Sequence, residues 1–235
     1  MAEYSPARSQ ERTQVMVNDF VRSVYNWMAV GLGLTGAVAF FVVNSPAMQR
    51  MIFGNSFVLF GLIIAELILV FTLAGRVQKM QASTATGMFL LYAALNGATL
   101  SAIFMVYTAS SIASTFFVAA GTFVAGSIYG WTTKKDLTSW GSFLFMGLIG
   151  IIIASLVNLF IQSTAISMIV SYIGVFVFIG LTIYDTQKIK NMALTQPADL
   201  EAGVIRKGAI MGALSLYLNF INLFIMLLRI MGERR

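Results

Sequence analysis

The chain contains no cysteine and no histidine among its 235 residues. Without cysteine, neither a disulfide framework nor a thiolate metal site can form. Without histidine, the chain also lacks the commonest metal ligand and the commonest general base of enzymes. We therefore expect no metal site, no cofactor and no enzymatic activity.

Charged residues are also scarce, at 10% of the chain, whereas soluble domains carry about 25%. Hydrophobic residues make up 58%, and the mean hydropathy is +0.84. A chain so poor in charge cannot cover a soluble surface, so we interpret it as a multi-pass membrane protein. The excess of lysine and arginine over acidic residues belongs to loops, where it orients the protein in the bilayer; we expect no nucleic-acid partner.

Long apolar runs fill most of the chain. A helix needs about 20 mostly apolar residues to cross the hydrocarbon core. Seven segments meet this condition: 25–43, 56–75, 86–108, 112–131, 141–161, 165–186 and 208–231. The connections leave no room for a second domain, so we predict an all-α membrane protein with a polar N-terminal arm, residues 1–24, and a seven-helix transmembrane domain, residues 25–235.

The loop charges predict the orientation of these spans. Eleven lysines and arginines fall on one side and four on the other, and the richer side is normally cytoplasmic. We therefore place the N-terminus in the cytoplasm and, after seven spans, the C-terminus outside. The poorer side holds Arg50, Arg229, Arg234 and Arg235.

Small residues recur four positions apart within three of the spans. Such pairs let helix backbones approach closely in lipid, so we expect each to lie at a helix interface. The pairs are Ala93–Gly97, Gly126–Gly130 and Gly208–Gly212.

Two acidic residues lie in or against the membrane, where an ionisable group is costly and is a functional candidate by default. Glu66 is about ten residues, roughly 15 Å, from either end of its span. It is either hydrogen-bonded to a neighbouring helix or part of an ion pathway. Asp185 ends the sixth span, and Arg76 ends the second span on the same side, so an arginine–carboxylate pair is allowed there. The alternative for Asp185 is an ordinary interfacial charge.

Two amides lie one turn apart in the last span. Asn219 and Asn222 fall on nearly the same helical face, which predicts that this face points into the helix bundle. Their side chains either form hydrogen bonds between helices or contribute to an ion pathway.

At these residues a family resemblance becomes visible. The stretches "IYDTQKIK" and "LSLYLNFINLFIMLLRI" resemble the signature of the Bax inhibitor-1 family, and "YGWTTKKDL" is similar to it as well. The resemblance covers the chain from about Tyr25 to Arg235 and is strongest to the bacterial branch, which implies the bacterial inner membrane.

The resemblance implies a fold in which six helices surround a central seventh helix, and a pH-sensitive calcium leak. In the family pattern, aspartates of the sixth and seventh spans form a proton sensor, and an arginine of the second span latches one of them. Asp185 and Arg76 match two of these positions, and Asn219 stands where the second aspartate is expected. The asparagine is either this chain's own departure from the pattern or a substitution that imitates a permanently protonated carboxyl.

Two functions therefore remain open at this point. The first is a calcium leak channel that responds to protons, with Asp185, Asn219 and Arg76 as its gate and Glu66, Asp185 and Asn222 along its ion pathway. The second is a non-conducting membrane protein that regulates a protease or a stress response through contacts with other membrane proteins.

Overall fold

The computed structural model describes residues 6–197 and 200–235, with side chains from residue 15 onward. Within these ranges the chain is helical and forms no β-strand; one isolated antiparallel bridge joins Tyr107 and Arg234. The helices are α1 (Pro6–Val43), α2 (Pro46–Phe53), α3 (Ser56–Arg76), α4 (Ala82–Leu100), α5 (Ile103–Val106), α6 (Ala109–Thr132), α7 (Thr138–Ile161), α8 (Thr164–Thr195) and α9 (Ala202–Met231), with a 3-10 turn at Val77–Lys79.

Seven spans in the described part of the chain are long and apolar enough to cross a membrane, which confirms the predicted number. Most of their ends lie within six residues of the prediction, and two differ by more. The helix that carries the first span begins at Pro6, well before residue 25, and the sixth span continues to Thr195 rather than ending at residue 186. Both helices continue into polar sequence, and a prediction from hydropathy does not detect helix beyond the apolar run. The boundary of the N-terminal arm at residue 24 stays a prediction.

The chain divides into two compact units. The first unit extends to Ala102 and includes Ile189–Leu214, the end of α8 and the start of α9. The second unit consists of Ile103–Lys188 and Ser215–Arg235.

In the first unit, α4 packs against α1 and α3. A Cβ atom on Gly97 of α4 would lie 2.5 Å from the backbone oxygen of Thr35 in α1, so only glycine permits this approach. The Thr35 hydroxyl donates to the Ala93 carbonyl at 2.8 Å. Gly208 and Gly212 of α9 lie against side chains of α1 as well. These contacts confirm that two of the three small-residue pairs lie at helix interfaces.

The short helix α2 closes one end of the first unit. Ser45 caps its N-terminus by accepting a hydrogen bond from the Met48 amide. Ile52 of α2 is buried together with Val42 and Ala98, and partly buried apolar side chains surround this group.

In the second unit, α6 packs against α8 through the third small-residue pair. Gly126 contacts Thr182 and Ile183, and a Cβ atom on Gly130 would clash with the Ile183 backbone oxygen. On the other side of α8, Tyr184 lies directly over Gly141 of α7. Glycine thus brings both neighbouring helices close to the part of α8 that carries Asp185.

Burial differs sharply among the spans. In α9, 72% of the most apolar window is buried, whereas the corresponding share in the other six lies between 6% and 33%. Many apolar side chains elsewhere are exposed, including Phe57 at 89% and Phe160 at 85%. Such exposure suits a surface that faces lipid. The arrangement of six helices around α9 stays a prediction.

Candidate functional site

Asp185 lies within α8, not at its end. The helix continues to Thr195, and the Asp185 side chain is half-buried. Its neighbours along the chain, Thr186 and Gln187, are both buried. The carboxylate therefore lies at the point where the apolar part of α8 ends and its polar part begins. The side chains next to it in the sequence are buried.

The Asp185 carboxylate is hydrogen-bonded to Asn219 of α9. The Asn219 amide Nδ2 donates to Asp185 Oδ2 at 2.7 Å, between residues 34 positions apart in the chain. Asn219 is only 5% exposed. A buried amide normally requires a partner, and a hydrogen bond to a carboxylate is among the stronger ones. The structure thus brings together two of the three residues predicted to form the gate.

Aromatic packing sets the rotation of α9 at this point. Phe220 packs edge-to-face on Phe116 and Phe123 of α6, with ring centroids 5.5 Å apart in each pair. Successive residues of an α-helix are about 100° apart around its axis. With Phe220 turned towards α6, the preceding Asn219 is turned towards α8 and reaches Asp185.

Asn222 does not join this pair. Its Nδ2 donates to the Leu218 carbonyl at 2.8 Å, within its own helix. Asn222 is half-buried, as expected for a residue on an inward face of the helix. Its side-chain amide, however, bonds to its own helix rather than to a neighbouring one. The spacing of Asn219 and Asn222 predicted that they share one helical face. The structure shows that they have different hydrogen-bond partners.

Gln187 is a site residue that sequence reasoning missed. Its Oε1 accepts from the Leu137 amide at 3.0 Å, and its Nε2 donates to the Lys135 carbonyl at 2.8 Å. These two bonds hold the α6–α7 connection to α8, two residues beyond Asp185. The sequence signal that could have identified Gln187 is its place just after the apolar run of α8. The structure shows that its side chain is buried.

Glu66 is hydrogen-bonded to α4 within the first unit. Thr99 Oγ1 donates to Glu66 Oε1 at 2.9 Å, and Asn96 Nδ2 lies 3.4 Å from Oε2. The predicted hydrogen bonding to a neighbouring helix is therefore present. Neither partner was identified from the sequence, although "LNGAT" is a conspicuously polar stretch within an apolar span.

The Glu66 cluster contains an atom with no partner. Asn96 Oδ1 is buried, and no described residue donates a hydrogen bond to it. Its Nδ2 is shared between Glu66 and the Tyr92 hydroxyl, 3.5 Å away. A carboxylate, an amide oxygen and a hydroxyl thus meet between α3 and α4. Oxygen groups of this kind suit a proton, a water molecule or a hard cation.

Arg76 is the last residue of α3, and its side chain is exposed. It belongs to the first unit, whereas Asp185 and Asn219 belong to the second. A pair between Arg76 and Asp185 therefore stays a prediction.

A second arginine, Arg206 at the start of α9, has well-defined contacts within the first unit. Its guanidinium lies 5.4 Å from the ring centre of Trp27, and its Nε donates to Thr86 Oγ1 at 3.2 Å. The adjacent Lys207 donates to the Gln78 carbonyl at 3.0 Å. These contacts hold the start of α9 to α1, α4 and the 3-10 turn, a role that the sequence-based interpretation did not assign.

Comparison with known proteins agrees with the resemblance seen in the motifs. Residues 17–235 match the family model described as "Inhibitor of apoptosis-promoting Bax1". The chain is 56% identical to the inner membrane protein YbhL of Escherichia coli strain K12, over 92% of each chain. It is also 43% identical to an uncharacterized protein of Borreliella burgdorferi, over 97% of each chain. An uncharacterized membrane protein of Streptococcus pyogenes is 38% identical, over 94% of this chain and 96% of its own.

Proposed function

This chain belongs to the Bax inhibitor family, and on that premise we propose that it is a pH-sensitive leak channel for calcium in the bacterial inner membrane. In this proposal protons and calcium ions are its ligands, the N-terminus is cytoplasmic and the C-terminus is outside. The protein is a multi-pass membrane protein with seven spans, and its matched relatives are not described as enzymes.

The observation that carries the proposal is the 2.7 Å hydrogen bond from Asn219 to Asp185. It joins a carboxylate of α8 to a buried amide of α9, two helices that both belong to the bilayer-spanning set. Burying a carboxylate within a membrane-spanning helix costs free energy, and such groups are usually found where they serve transport or proton exchange. This pair is therefore our candidate for the gate.

In the proposed gate, ionised Asp185 is held by Asn219 and attracted by Arg76 at the end of α3. Protonation of Asp185 would remove its charge and with it most of that attraction. In the proposal, loss of this attraction opens the gate to ions. An asparagine in place of a second aspartate removes one proton-binding group, so we expect this chain to respond only weakly to pH near neutrality.

The proposed ion pathway uses oxygen atoms, which hard cations such as calcium require. Asp185 would provide them at one end, Asn222 along α9, and Glu66 with its partner Thr99 in the middle of α3. Glu66 and Thr99 are already in contact, with a distance of 2.9 Å between Oε1 and Oγ1.

The proposal is tested by measuring calcium flux into proteoliposomes that contain the purified chain or its Asn219→Asp variant. Two close carboxylates cannot both ionise cheaply, so an aspartate pair holds one proton unusually tightly. We expect the variant's flux to change several-fold between about pH 6 and about pH 8, whereas the unmodified chain changes little.

Asn191→Asp provides the matched control, because it makes the same amide-to-carboxylate change at an exposed position of α8. It should behave like the unmodified chain. Identical flux–pH curves for the chain and Asn219→Asp would show that position 219 is structural. Absence of calcium flux in every variant would instead favour the non-conducting regulator.

A further inference from the structure

A polar cavity of about 270 Å³ opens in the second unit where α7 ends, α8 begins and α9 ends. Its lining residues lie at least fifteen residues from Asp185 along α8 and ten residues from Asn219 along α9, and the proposed gate does not use it. Its lining residues are Ser155, Asn158, Leu159, Gln162, Ser167, Val170 and Arg229.

The turn that forms the cavity wall is held by its own hydrogen bonds. Gln162 ends α7 in a left-handed conformation, with φ of 54°. Asn158 Oδ1 accepts from the Ser163 amide at 2.9 Å, and Asn158 Nδ2 donates to Ser167 Oγ at 2.7 Å. Because Asn158 occupies the Ser167 oxygen as an acceptor, the Ser167 hydroxyl hydrogen remains available to a ligand. The wall is thus preorganised, and it keeps one hydroxyl donor free for a ligand.

The charge of the cavity is positive. Arg229 is its only charged lining residue; the side chain is exposed at the cavity, and none of the described residues forms an ion pair or hydrogen bond with its guanidinium. The sequence from Thr138 to Tyr184, which supplies the other two helices, contains no charged residue at all. A cation that has no ion pair among the described residues, beside hydroxyl and amide donors, is suited to an anion, above all to a phosphate.

The surroundings of the cavity are apolar and exposed. Leu159, Ile161 and Ile169 are each between 58% and 65% exposed, and Phe160 is 85% exposed. In a membrane protein this surface faces acyl chains. In a phospholipid, the phosphate lies directly beside the acyl chains. A phosphate site next to such an apolar surface therefore fits a lipid better than a free anion.

We propose that this cavity binds the phosphate of an anionic phospholipid in the predicted outer leaflet. The Arg229 guanidinium contacts the phosphate oxygens, the Ser167 hydroxyl donates a further hydrogen bond, and the acyl chains lie along Phe160 and Ile169. A cavity of about 270 Å³ could hold several water molecules at about 30 Å³ each, so it has room for a phosphate group. This site is independent of the proposed channel activity.

The test measures lipid binding to the purified full-length chain in neutral detergent by native mass spectrometry. Phosphatidylglycerol is the probe, phosphatidylcholine the uncharged comparison, and inorganic phosphate the soluble comparison. Arg229→Gln removes the cation. Ser155→Phe fills the cavity from an exposed position and keeps the charge. Arg235→Gln removes an exposed arginine on the same predicted side that does not line the cavity.

We expect phosphatidylglycerol to bind more tightly than phosphatidylcholine, and Arg229→Gln to weaken it about tenfold, the effect of losing a charge-assisted hydrogen bond. Ser155→Phe should also weaken it, while Arg235→Gln should leave it unchanged. If Arg229→Gln and Arg235→Gln weakened lipid binding equally, the binding would depend on surface charge in general, and the proposal would be overturned. Binding that Ser155→Phe leaves intact, or displacement of the lipid by inorganic phosphate at comparable concentration, would overturn it as well.

Discussion

At the scale of single residues, Asn219 and Asp185 form an unequal pair. The amide is buried and cannot titrate, while the half-buried carboxylate can. Their hydrogen bond satisfies the amide and leaves Asp185 as the only group of the pair that can bind a proton. Any pH response of this pair therefore depends on Asp185 alone.

We predict that Asp185→Asn will raise the calcium leak and make it less dependent on pH. The substitution removes the only ionisable group of the pair and the charge that Arg76 is proposed to attract. Calcium flux into proteoliposomes at several pH values is the measurement. Flux in the variant that matches the unmodified chain at every pH would contradict the assignment of Asp185 to the gate.

The control for that experiment is Asp136→Asn, which removes a carboxylate from the α6–α7 connection. Hydrogen bonds from the Thr138 hydroxyl and amide, at 2.6 Å and 2.9 Å, hold the pKa of Asp136 below its ordinary value. Asp136 is therefore ionised throughout the neutral range and contributes no pH response there. Its removal should leave the dependence of flux on pH unchanged.

At the scale of helices, close approach in this protein depends on glycine. Gly97 lets α4 meet the backbone of α1, and Gly130 lets α6 meet α8. Helices in lipid gain little from burying apolar surface against one another, so close backbone contact and interhelical hydrogen bonds carry the association. The bond from Thr35 to the Ala93 carbonyl lies beside Gly97 and is an example.

We predict that Gly97→Ala will destabilise the protein by about 1–3 kcal/mol, the usual cost of overpacking. Its Cβ would lie 2.5 Å from the Thr35 oxygen, a backbone atom that cannot turn aside. Gly87→Ala in the same helix is the control, because a Cβ there meets nothing within 4 Å. Thermal unfolding in detergent should separate the two variants; equal melting temperatures would show that α1 can move away from α4 at little cost.

At the scale of the whole molecule, the distribution of charge predicts how the seven spans are oriented. Eleven lysines and arginines fall on one side and four on the other, and such a bias normally marks the cytoplasmic side. The described part of the chain has the predicted seven spans, and an odd number of spans predicts that the two termini lie on opposite sides of the membrane. Which terminus is cytoplasmic depends on the charge argument.

We predict that a C-terminal reporter that is active only in the cytoplasm will remain inactive when it is fused after Arg235. A reporter that is active only outside the cytoplasm should work at the same position, because the last span ends on the side with few charges. Strong cytoplasmic activity of the first fusion would reverse the orientation and place the proposed lipid site in the other leaflet.

The sequence by itself determined the protein class, the number of spans, the family and which small-residue pairs lie at helix interfaces. Each of these depends on local properties: the length of an apolar run, the absence of charge, a short signature motif, or two small residues one turn apart. The pairs Ala93–Gly97 and Gly126–Gly130 could be identified without a structure because close helix contact requires small side chains at that spacing.

Only the tertiary structure decided which polar groups meet. Asn219 and Asn222 have the same chemistry and nearly the same helical face, yet one binds Asp185 and the other binds its own helix. The partners of Glu66 on α4 and the lining of the proposed lipid site were likewise invisible in the sequence. Partners across helices depend on how each helix is rotated against its neighbours, and that rotation is set by packing of many side chains that are distant in the chain.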